Sequence, residues 1–432
     1  MKLINILETI IFITLQFNSH LFPNIRMNVI NEELLHSIIS QTNMPLVLRG
    51  FVNNWSICQW DMKKWASVFG QRDIPFRTMK KDYISDEPCW ERKCQVKTMK
   101  FEDYLNIVDS SEDWMYFDYK YLHQWFNADE ELCKEISWKQ FGYPDKGAAD
   151  TTLWIGSDGA HTPTHQDTYG VNIVAQVYGK KRWLLFPPEA GGMKSTRVPY
   201  EESSIYSELN FYCPNSLEDF RGLSGGRVVE LCAGDALVLP RGWWHYVQNL
   251  APTSVAVNCW LPHEKDISTR VSEALIKILV AQICKDLPQS TRALLINPNE
   301  DDISDTPLAV LFLQLETVAK LYLDNRRKTR RAKRQRTCEP DPAPTTTEEY
   351  DLKALLENTA NKMELAQPIT SEGIIGLIQE NLKRYANVER VLGDDEADGS
   401  TASLCLTKAL IDAYSDENVV EQVKRNLLAK LS

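Results

Sequence analysis

The chain has 432 residues, of which 43% are hydrophobic and 25% are charged. These fractions are close to the globular average and exclude a wholly disordered chain, a collagen-like repeat and a polytopic membrane protein. The 48 Lys and Arg against 59 Asp and Glu give a net charge of −11, which argues against a general nucleic-acid coat protein, because such a protein needs a basic surface.

The amino terminus contains a short apolar stretch, Ile10–Phe17, which follows Lys2. Glu8 interrupts the apolar region and no small-residue cleavage site follows it, so we do not expect a secretory signal or a membrane span. We treat residues 1–26 as an amino-terminal extension, with Met27 as an alternative start. The ten cysteines are dispersed without a CxxC pair, which predicts reduced thiols and a cytoplasmic or nuclear protein.

The first globular part, residues 27–150, is predicted to mix short helices and strands. Asn31–Gln41 has the apolar spacing of an amphipathic helix, and Pro45–Val52 has the pattern of a strand. Residues 151–263 change to short β-rich runs bounded by turn signals, which predict an all-β barrel or sandwich rather than βαβ units. The candidate strands are Thr152–Ile155, Asn172–Tyr178, Arg182–Phe186, Arg227–Leu231, Ala236–Leu239, Trp243–Gln248 and Ser254–Trp260.

The remainder of the chain is predicted to be helical in two parts, residues 264–325 and 349–432. The predicted helices are Ile267–Ile283, Pro307–Leu323, Ser371–Tyr385 and Leu404–Leu431. Between the two parts, residues 326–348 contain a basic run and a Pro/Thr linker, Pro340–Thr347.

The basic run Arg326–Arg336 carries eight Lys and Arg and no acid. It has two interpretations: a solvated helix end after Leu323, or a nuclear-import signal or nucleic-acid patch. Because like charges repel, we expect this run to be extended and to direct the chain into the nucleus.

The strongest chemical signal is the segment His161-Thr-Pro-Thr-His165-Gln-Asp167. On a strand His165 and Asp167 point to the same face, and His245 is the candidate third ligand from a facing strand. Two histidines and one carboxylate form the facial triad of non-haem iron(II) oxygenases. The alternative is that HxD is a common tripeptide and that His245 is a core histidine packed among aromatic residues.

The flanking residues resemble the JmjC family of iron(II)- and 2-oxoglutarate-dependent oxygenases. The motifs that carry this resemblance are Leu153-Trp-Ile-Gly-Ser157, His161–Asp167, Gly179-Lys-Lys-Arg-Trp183, Cys232-Ala-Gly-Asp235 and Pro240-Arg-Gly-Trp-Trp-His245. The resemblance implies a mainly β core, the cupin-like double-stranded β-helix barrel, with flanking α-helices and a helical carboxyl-terminal region. Trp154-Ile-Gly-Ser157 and Pro199-Tyr-Glu-Glu-Ser-Ser204 are similar to the branch of this family that is associated with small heat-shock proteins.

The resemblance also implies roles for eight residues. The iron ligands and catalytic residues are His165, Asp167 and His245. The residues that line the 2-oxoglutarate site are Lys181, Thr162, Asn258, Asn172 and Tyr116. Lys181 would pair with the distal carboxylate of the co-substrate; the alternative is an exposed charge in a hairpin beside Lys180 and Arg182.

The function implied by the resemblance is that of an iron(II)- and 2-oxoglutarate-dependent dioxygenase, a hydroxylase that acts on a protein substrate. The alternatives are a non-catalytic protein that binds a small heat-shock protein, a JmjC demethylase or RNA hydroxylase, and a metal-binding cupin without 2-oxoglutarate chemistry. We also expect that the carboxyl-terminal helices can form a homodimer and that the protein does not enter a membrane.

Overall fold

A computed structural model describes residues 30–196, 204–296, 305–336, 352–358, 360, 362–385 and 402–432. The extension at residues 1–26 and the linker Pro340–Thr347 lie outside these ranges, as does most of the loop Pro199–Ser204. The division of the chain into domains stays a prediction. A search of the described helices finds no candidate for a bilayer-spanning segment.

The described strands form two antiparallel sheets. They are β1 (Leu46–Leu48), β2 (Ile74–Lys80), β3 (Gln95–Met99), β4 (Asp113–Tyr121), β5 (Thr152–Ser157), β6 (His161–Asp167), β7 (Val171–Tyr178), β8 (Lys180–Phe186), β9 (Ser204–Tyr206), β10 (Arg227–Cys232), β11 (Ala236–Leu239), β12 (Trp244–Asn249), β13 (Thr253–Leu261), β14 (Met363–Leu365) and β15 (Gln367–Pro368). The larger sheet has nine strands in the order β14-β1-β11-β7-β13-β5-β4-β2-β3, and the smaller has six in the order β15-β10-β8-β12-β6-β9. The seven strands expected between residues 151 and 263 are present, with ends shifted by at most two residues, whereas the strand expected over Pro45–Val52 is shorter and ends at Leu48.

The described helices flank these sheets. They are α1 (Glu32–Gln41), α2 (Met62–Phe69), α3 (Phe101–Ile107), α4 (Leu122–Trp125), α5 (Glu131–Lys134), α6 (Asp266–Cys284), α7 (Gln289–Leu295), α8 (Leu308–Arg336), α9 (Leu352–Glu357), α10 (Ser371–Tyr385), α11 (Ala402–Ser415) and α12 (Glu417–Leu431). The expected helices are confirmed, except that the predicted helix Leu404–Leu431 divides into two at Asp416, whose carboxylate caps the start of α12.

The expected mainly β, cupin-like core with flanking helices is confirmed, but it is not a closed barrel, because no β-ladder joins the two sheets in the described part of the chain. The two sheets instead face each other in a jelly-roll-like cupin arrangement. The larger sheet continues past β5 into β4, β2 and β3, which have no counterparts in the smaller sheet. Barrels and sandwiches share the same pattern of short alternating strands. Whether the sheets close into a barrel depends on pairing between distant strands, which this local pattern does not encode.

Strand β12 shows how alternation builds the interior. Its residues Trp244 and Tyr246 belong to the hydrophobic layer on the outer face of the smaller sheet. The alternate residues point the other way: Val247 belongs to the cluster between the sheets, and His245 lies on the same face as Val247. Successive side chains on a strand point to opposite faces, so the sequence Trp-His-Tyr-Val places one polar imidazole among apolar neighbours between the two sheets.

The carboxyl-terminal strap, residues 362–385, belongs to the same fold. Its strand β14 pairs with β1 at the edge of the larger sheet, and β15 pairs with β10 at the edge of the smaller one. Helix α10 then packs Ile374 and Ile378 against the outer face of the smaller sheet. The buried amide of Asn381 exchanges two hydrogen bonds, of 3.0 and 2.9 Å, with Gln248 on β12. The strap therefore connects both sheets and contacts the strand that carries His245.

The expectation that the basic run Arg326–Arg336 is extended is wrong. Helix α8 continues through it to Arg336, because Arg and Lys are good helix formers. Whether this run directs the chain into the nucleus stays a prediction.

Replacing Asn381 with alanine should lower the free energy of unfolding by about 1–3 kcal/mol, because the buried amide of Gln248 loses its partner. Urea unfolding of the full chain measures this change. The matched control is Gln379→Ala, an exposed position on the same helix, which should change stability by less than about 0.5 kcal/mol. Equal effects of the two substitutions would show that the strap does not depend on this pair.

Candidate metal centre

The three predicted metal ligands lie on two neighbouring strands of the smaller sheet. Strand β6 carries His165 and Asp167, and β12 carries His245. These strands pair antiparallel, with His165 directly opposite His245. In an antiparallel pair, directly opposite side chains lie on the same face of the sheet, so this register brings the two imidazoles together.

The pairing of β6 with β12 contains a bulge. His245 pairs with His165 and Val247 pairs with Thr162, so three steps on β6 match two on β12. The extra residue lies next to Pro163, which cannot donate a ladder hydrogen bond. Because of the bulge, Thr162 and His165 both face the cavity between the sheets, although residues three apart on a regular strand point to opposite faces.

The donor atoms of the three side chains converge. The Nε2 atom of His165 is 3.8 Å from Oδ1 of Asp167, and Nε2 of His245 is 4.0 Å from Oδ2 of the same carboxylate. One potential ligand atom from each of the three residues lies within 4.8 Å of the other two. Two imidazole nitrogens and one carboxylate oxygen are suitable ligands for a divalent transition metal such as iron(II).

Backbone carbonyls orient both imidazoles. Nδ1 of His165 is 2.8 Å from the carbonyl oxygen of Pro163, and Nδ1 of His245 is 3.0 Å from that of Trp243. Each Nδ1–H therefore donates to a carbonyl, which leaves the Nε2 lone pair facing Asp167. Such hydrogen bonds select the tautomer that a metal-binding histidine needs.

Burial keeps the imidazole of His165 in the unprotonated form that can bind a metal ion. It lowers the pKa of His165 to about 4, and repulsion from His245 acts in the same direction, while Asp167 opposes the shift. The imidazole is therefore neutral at physiological pH and can bind a cation. The carboxylate of Asp167 accepts a hydrogen bond of 3.0 Å from Nε1 of Trp260 on β13, so that the opposite sheet orients the acidic ligand.

Lys181 is buried, with 2% of its surface exposed, and the interpretation as an exposed hairpin charge is wrong. Its Nζ lies 3.3 Å from the hydroxyl oxygen of Tyr116, which also accepts a hydrogen bond of 3.5 Å from the Thr162 hydroxyl. No carboxylate of a described residue lies within ion-pair distance of this ammonium group. Burial lowers the pKa of Lys181 to about 7, and the charge of Asp118 opposes the shift. A buried cation without a counter-ion favours an anionic ligand.

The two predicted amides lie on adjacent strands of the larger sheet and contact each other. Nδ2 of Asn258 donates to Oδ1 of Asn172 at 2.8 Å, and Nε1 of Trp154 donates to Oδ1 of Asn258 at 2.7 Å. These bonds orient the amides on the wall opposite His165, so that polar groups from both sheets face one space.

All eight predicted residues line a single cavity of about 1100 Å³ between the sheets. The sequence analysis missed its aromatic wall, which is formed by Tyr119, Trp154, Trp260 and Tyr206. Tyr119 has a left-handed backbone with φ of 54°, at a bulge in the pairing of β4 with β5. Strained backbone of this kind is concentrated at functional sites. The sequence contains no signal for this bulge, whereas Trp260 could have been assigned to the cavity because it lies two residues after Asn258 on the same face of a strand.

Comparisons with known proteins agree with this geometry. The sequence model described as the cupin-like domain matches residues 32–267. HSPB1-associated protein 1 from Homo sapiens is 35% identical over 352 residues, which cover 78% of this chain and 70% of the relative. The protein of the same name from Bos taurus is 38% identical over 285 residues, covering 62% and 58% of the two chains.

The chain belongs to the cupin-like JmjC family. Lysine-specific demethylase 8 from Danio rerio is a more distant relative, 28% identical over 226 residues that cover 50% of this chain and 52% of the demethylase. The resemblance inferred from the motifs is therefore confirmed. The matched span contains all eight residues, whose individual roles in this JmjC domain stay predictions.

Replacing His245 with alanine should weaken iron(II) binding by more than about 100-fold, because changes to residues that merely orient a ligand already cost 10- to 100-fold. Anaerobic titration with iron(II), followed by calorimetry, measures the affinity. His123→Ala is the control, since that histidine is exposed and lies outside the triad. Wild-type affinity in His245→Ala would refute the assignment of the third ligand.

Proposed function

We propose that this JmjC protein is an iron(II)- and 2-oxoglutarate-dependent dioxygenase that hydroxylates a protein substrate. The observation that carries the proposal is the buried ammonium of Lys181 in the same cavity as the His165–Asp167–His245 triad. A metal site without a co-substrate anion would have no reason to bury a cation, because burial of an uncompensated charge costs free energy.

The residues fit the two groups that the family uses. The triad offers two imidazoles and a carboxylate for iron(II), and Lys181 offers a point charge for the distal carboxylate of 2-oxoglutarate. When bound, iron and 2-oxoglutarate supply the oxidative chemistry that converts a C–H bond into a C–OH group. The Thr162 and Tyr116 hydroxyls are placed to donate to the same carboxylate as Lys181, because the Tyr116 hydroxyl contacts both Thr162 and Lys181.

The other residues of the cavity orient and shield the reacting groups. Trp260 holds Asp167 through its indole N–H, and Trp154 holds the amide of Asn258. Tyr119 lies between the two indoles, with ring centroids 5.5 Å from Trp154 and 5.6 Å from Trp260. This aromatic wall excludes water from one side of the site, which strengthens the charge interactions inside it.

We propose that the substrate is a protein. A small heat-shock protein is the first candidate, because the name of the relative HSPB1-associated protein 1 states an association with such a protein. The same name supports the alternative of a non-catalytic interaction protein. Lysine demethylases among the relatives keep removal of a methyl group open. The intact triad and the buried Lys181 favour a catalytic protein over a scaffold.

Succinate release tests the proposal. The full chain, purified anaerobically and loaded with iron(II), is incubated with 2-oxoglutarate, dioxygen and either a recombinant small heat-shock protein or fractionated cell lysate. Substrate-dependent succinate from the wild type, absent from Asp167→Ala, supports hydroxylation. Association with the heat-shock protein without any succinate from either source would support the interaction protein instead.

Replacing Lys181 with methionine should weaken 2-oxoglutarate binding about ten- to a hundredfold, since a lost charge-assisted hydrogen bond costs about 1.5–3 kcal/mol. Iron(II) affinity should stay unchanged. Calorimetry of the iron-loaded chain measures both affinities. The control is Lys180→Met, which removes the neighbouring ammonium that pairs with Glu230 at the surface. Unchanged 2-oxoglutarate affinity in Lys181→Met would remove the basis of the proposal.

The affinity for 2-oxoglutarate should also depend on pH. Burial lowers the pKa of free Lys181 to about 7, and a bound carboxylate raises it by favouring the ammonium form. Above pH 7 binding must therefore take up a proton, so affinity should fall by up to about tenfold per pH unit. Below pH 7 Lys181 is already charged, so its titration no longer changes the affinity for 2-oxoglutarate. Lys181→Met should lack the decrease, and a wild-type profile in that variant would assign the titration to another group.

A further inference from the structure

We propose that Cys89 and Cys94 form a dithiol that hydrogen peroxide oxidises reversibly to an intrachain disulfide. Their Sγ atoms are 3.8 Å apart and share a hydrogen bond. The two cysteines flank the single turn of 3₁₀-helix Glu91–Lys93, between strands β2 and β3. The site requires neither iron nor 2-oxoglutarate, so it stands apart from the proposed oxygenase activity.

The surroundings give the two thiols different roles. Cys94 is partly exposed and its Sγ lies 3.9 Å from Nη1 of Arg77. Cys89 is buried, with 3% of its surface exposed. The hydrogen bond from Cys89 and the nearby guanidinium lower the pKa of Cys94 against the opposing effect of burial, while the same hydrogen bond and then burial raise the pKa of Cys89. A thiolate next to a cation is the reactive form of cysteine, so Cys94 is the attacking sulfur.

The reaction is a two-electron oxidation. The thiolate of Cys94 attacks one oxygen of hydrogen peroxide, the O–O bond breaks, and the released hydroxide takes a proton to form water. The sulfur of Cys89 then attacks the sulfenic sulfur of Cys94, forming the S–S bond and releasing the second water with the Cys89 proton. Two thiols lose two electrons and two protons, and one peroxide becomes two waters.

This site lies in the wall of the cavity. Glu91 and Arg92, between the two cysteines, line the cavity. Trp90 contacts Tyr206 with ring centroids 5.9 Å apart, and Tyr206 stacks on His165 at 5.4 Å. A disulfide needs its sulfur atoms about 2.05 Å apart, so oxidation must shift this segment from its position in the dithiol form. The oxidation state of the pair therefore changes one wall of the cavity.

The test is oxidation of the folded full chain with a small molar excess of hydrogen peroxide, followed by alkylation and trypsin digestion without reductant. Trypsin cuts after Arg92 and Lys93, which separates the two cysteines into different peptides. The expected product is the peptide Asp82–Arg92 linked to Cys94–Lys97, and dithiothreitol should release both. Tryptophan fluorescence of the native chain should change with the same time course, because Trp90 lies between the cysteines.

Three variants keep the interpretation unambiguous. Cys89→Ser should leave Cys94 as a sulfenic acid that dimedone captures, and Cys94→Ser should leave no oxidised product in this segment. Cys232→Ser, which removes an exposed single thiol, should not change the linked peptide. The proposal is overturned if wild-type protein yields no linked peptide at peroxide concentrations that oxidise Cys232, or if the link appears only between chains.

Discussion

The register between β6 and β12 places His165 directly opposite His245, and the other features of the site depend on it. A slip of one residue would turn one imidazole to the outer face of the sheet, because side chains alternate along a strand. The hydrophobic residues on both faces of β12 oppose that slip: Trp244 and Tyr246 are buried on one side, and Val247 on the other. Burial of large apolar side chains thus determines where the candidate metal ligands lie.

The three candidate metal ligands lie on the smaller sheet, and the larger sheet contributes the indole that orients Asp167. Trp260 on β13 reaches across the interior to Asp167, and Asn258 on the same strand donates to Asn172 on the neighbouring strand β7. The carboxyl-terminal strap then pairs with the edges of both sheets and hydrogen-bonds Gln248 through Asn381. The part of the chain beyond the matched span, residues 32–267, therefore contributes to the spacing of the sheets that form the cavity.

Charged residues near the candidate metal ligands also lie next to the cysteine pair. Arg77 makes a buried ion pair with Asp118 and also lies against Cys94. Asp118 acts on the pKa of Lys181, the proposed partner of the co-substrate. A buried ion pair contributes little net stability but is costly to break. A substitution at one of these residues is therefore expected to affect the others.

The sequence alone determined the approximate bounds of the seven strands between residues 151 and 263, the β-rich class and the identity of the three candidate metal ligands, because these follow from local patterns such as the alternation in β12 and the spacing of His165 and Asp167. It also pointed to Lys181, but whether that lysine was exposed or buried depended on contacts with Tyr116, more than sixty residues away in the chain. The bulge beside Pro163, the left-handed Tyr119, the unclosed sheets and the strap were decided by tertiary structure. Each of them depends on pairing or packing between distant segments, and a local pattern of apolar and polar residues does not specify such partners.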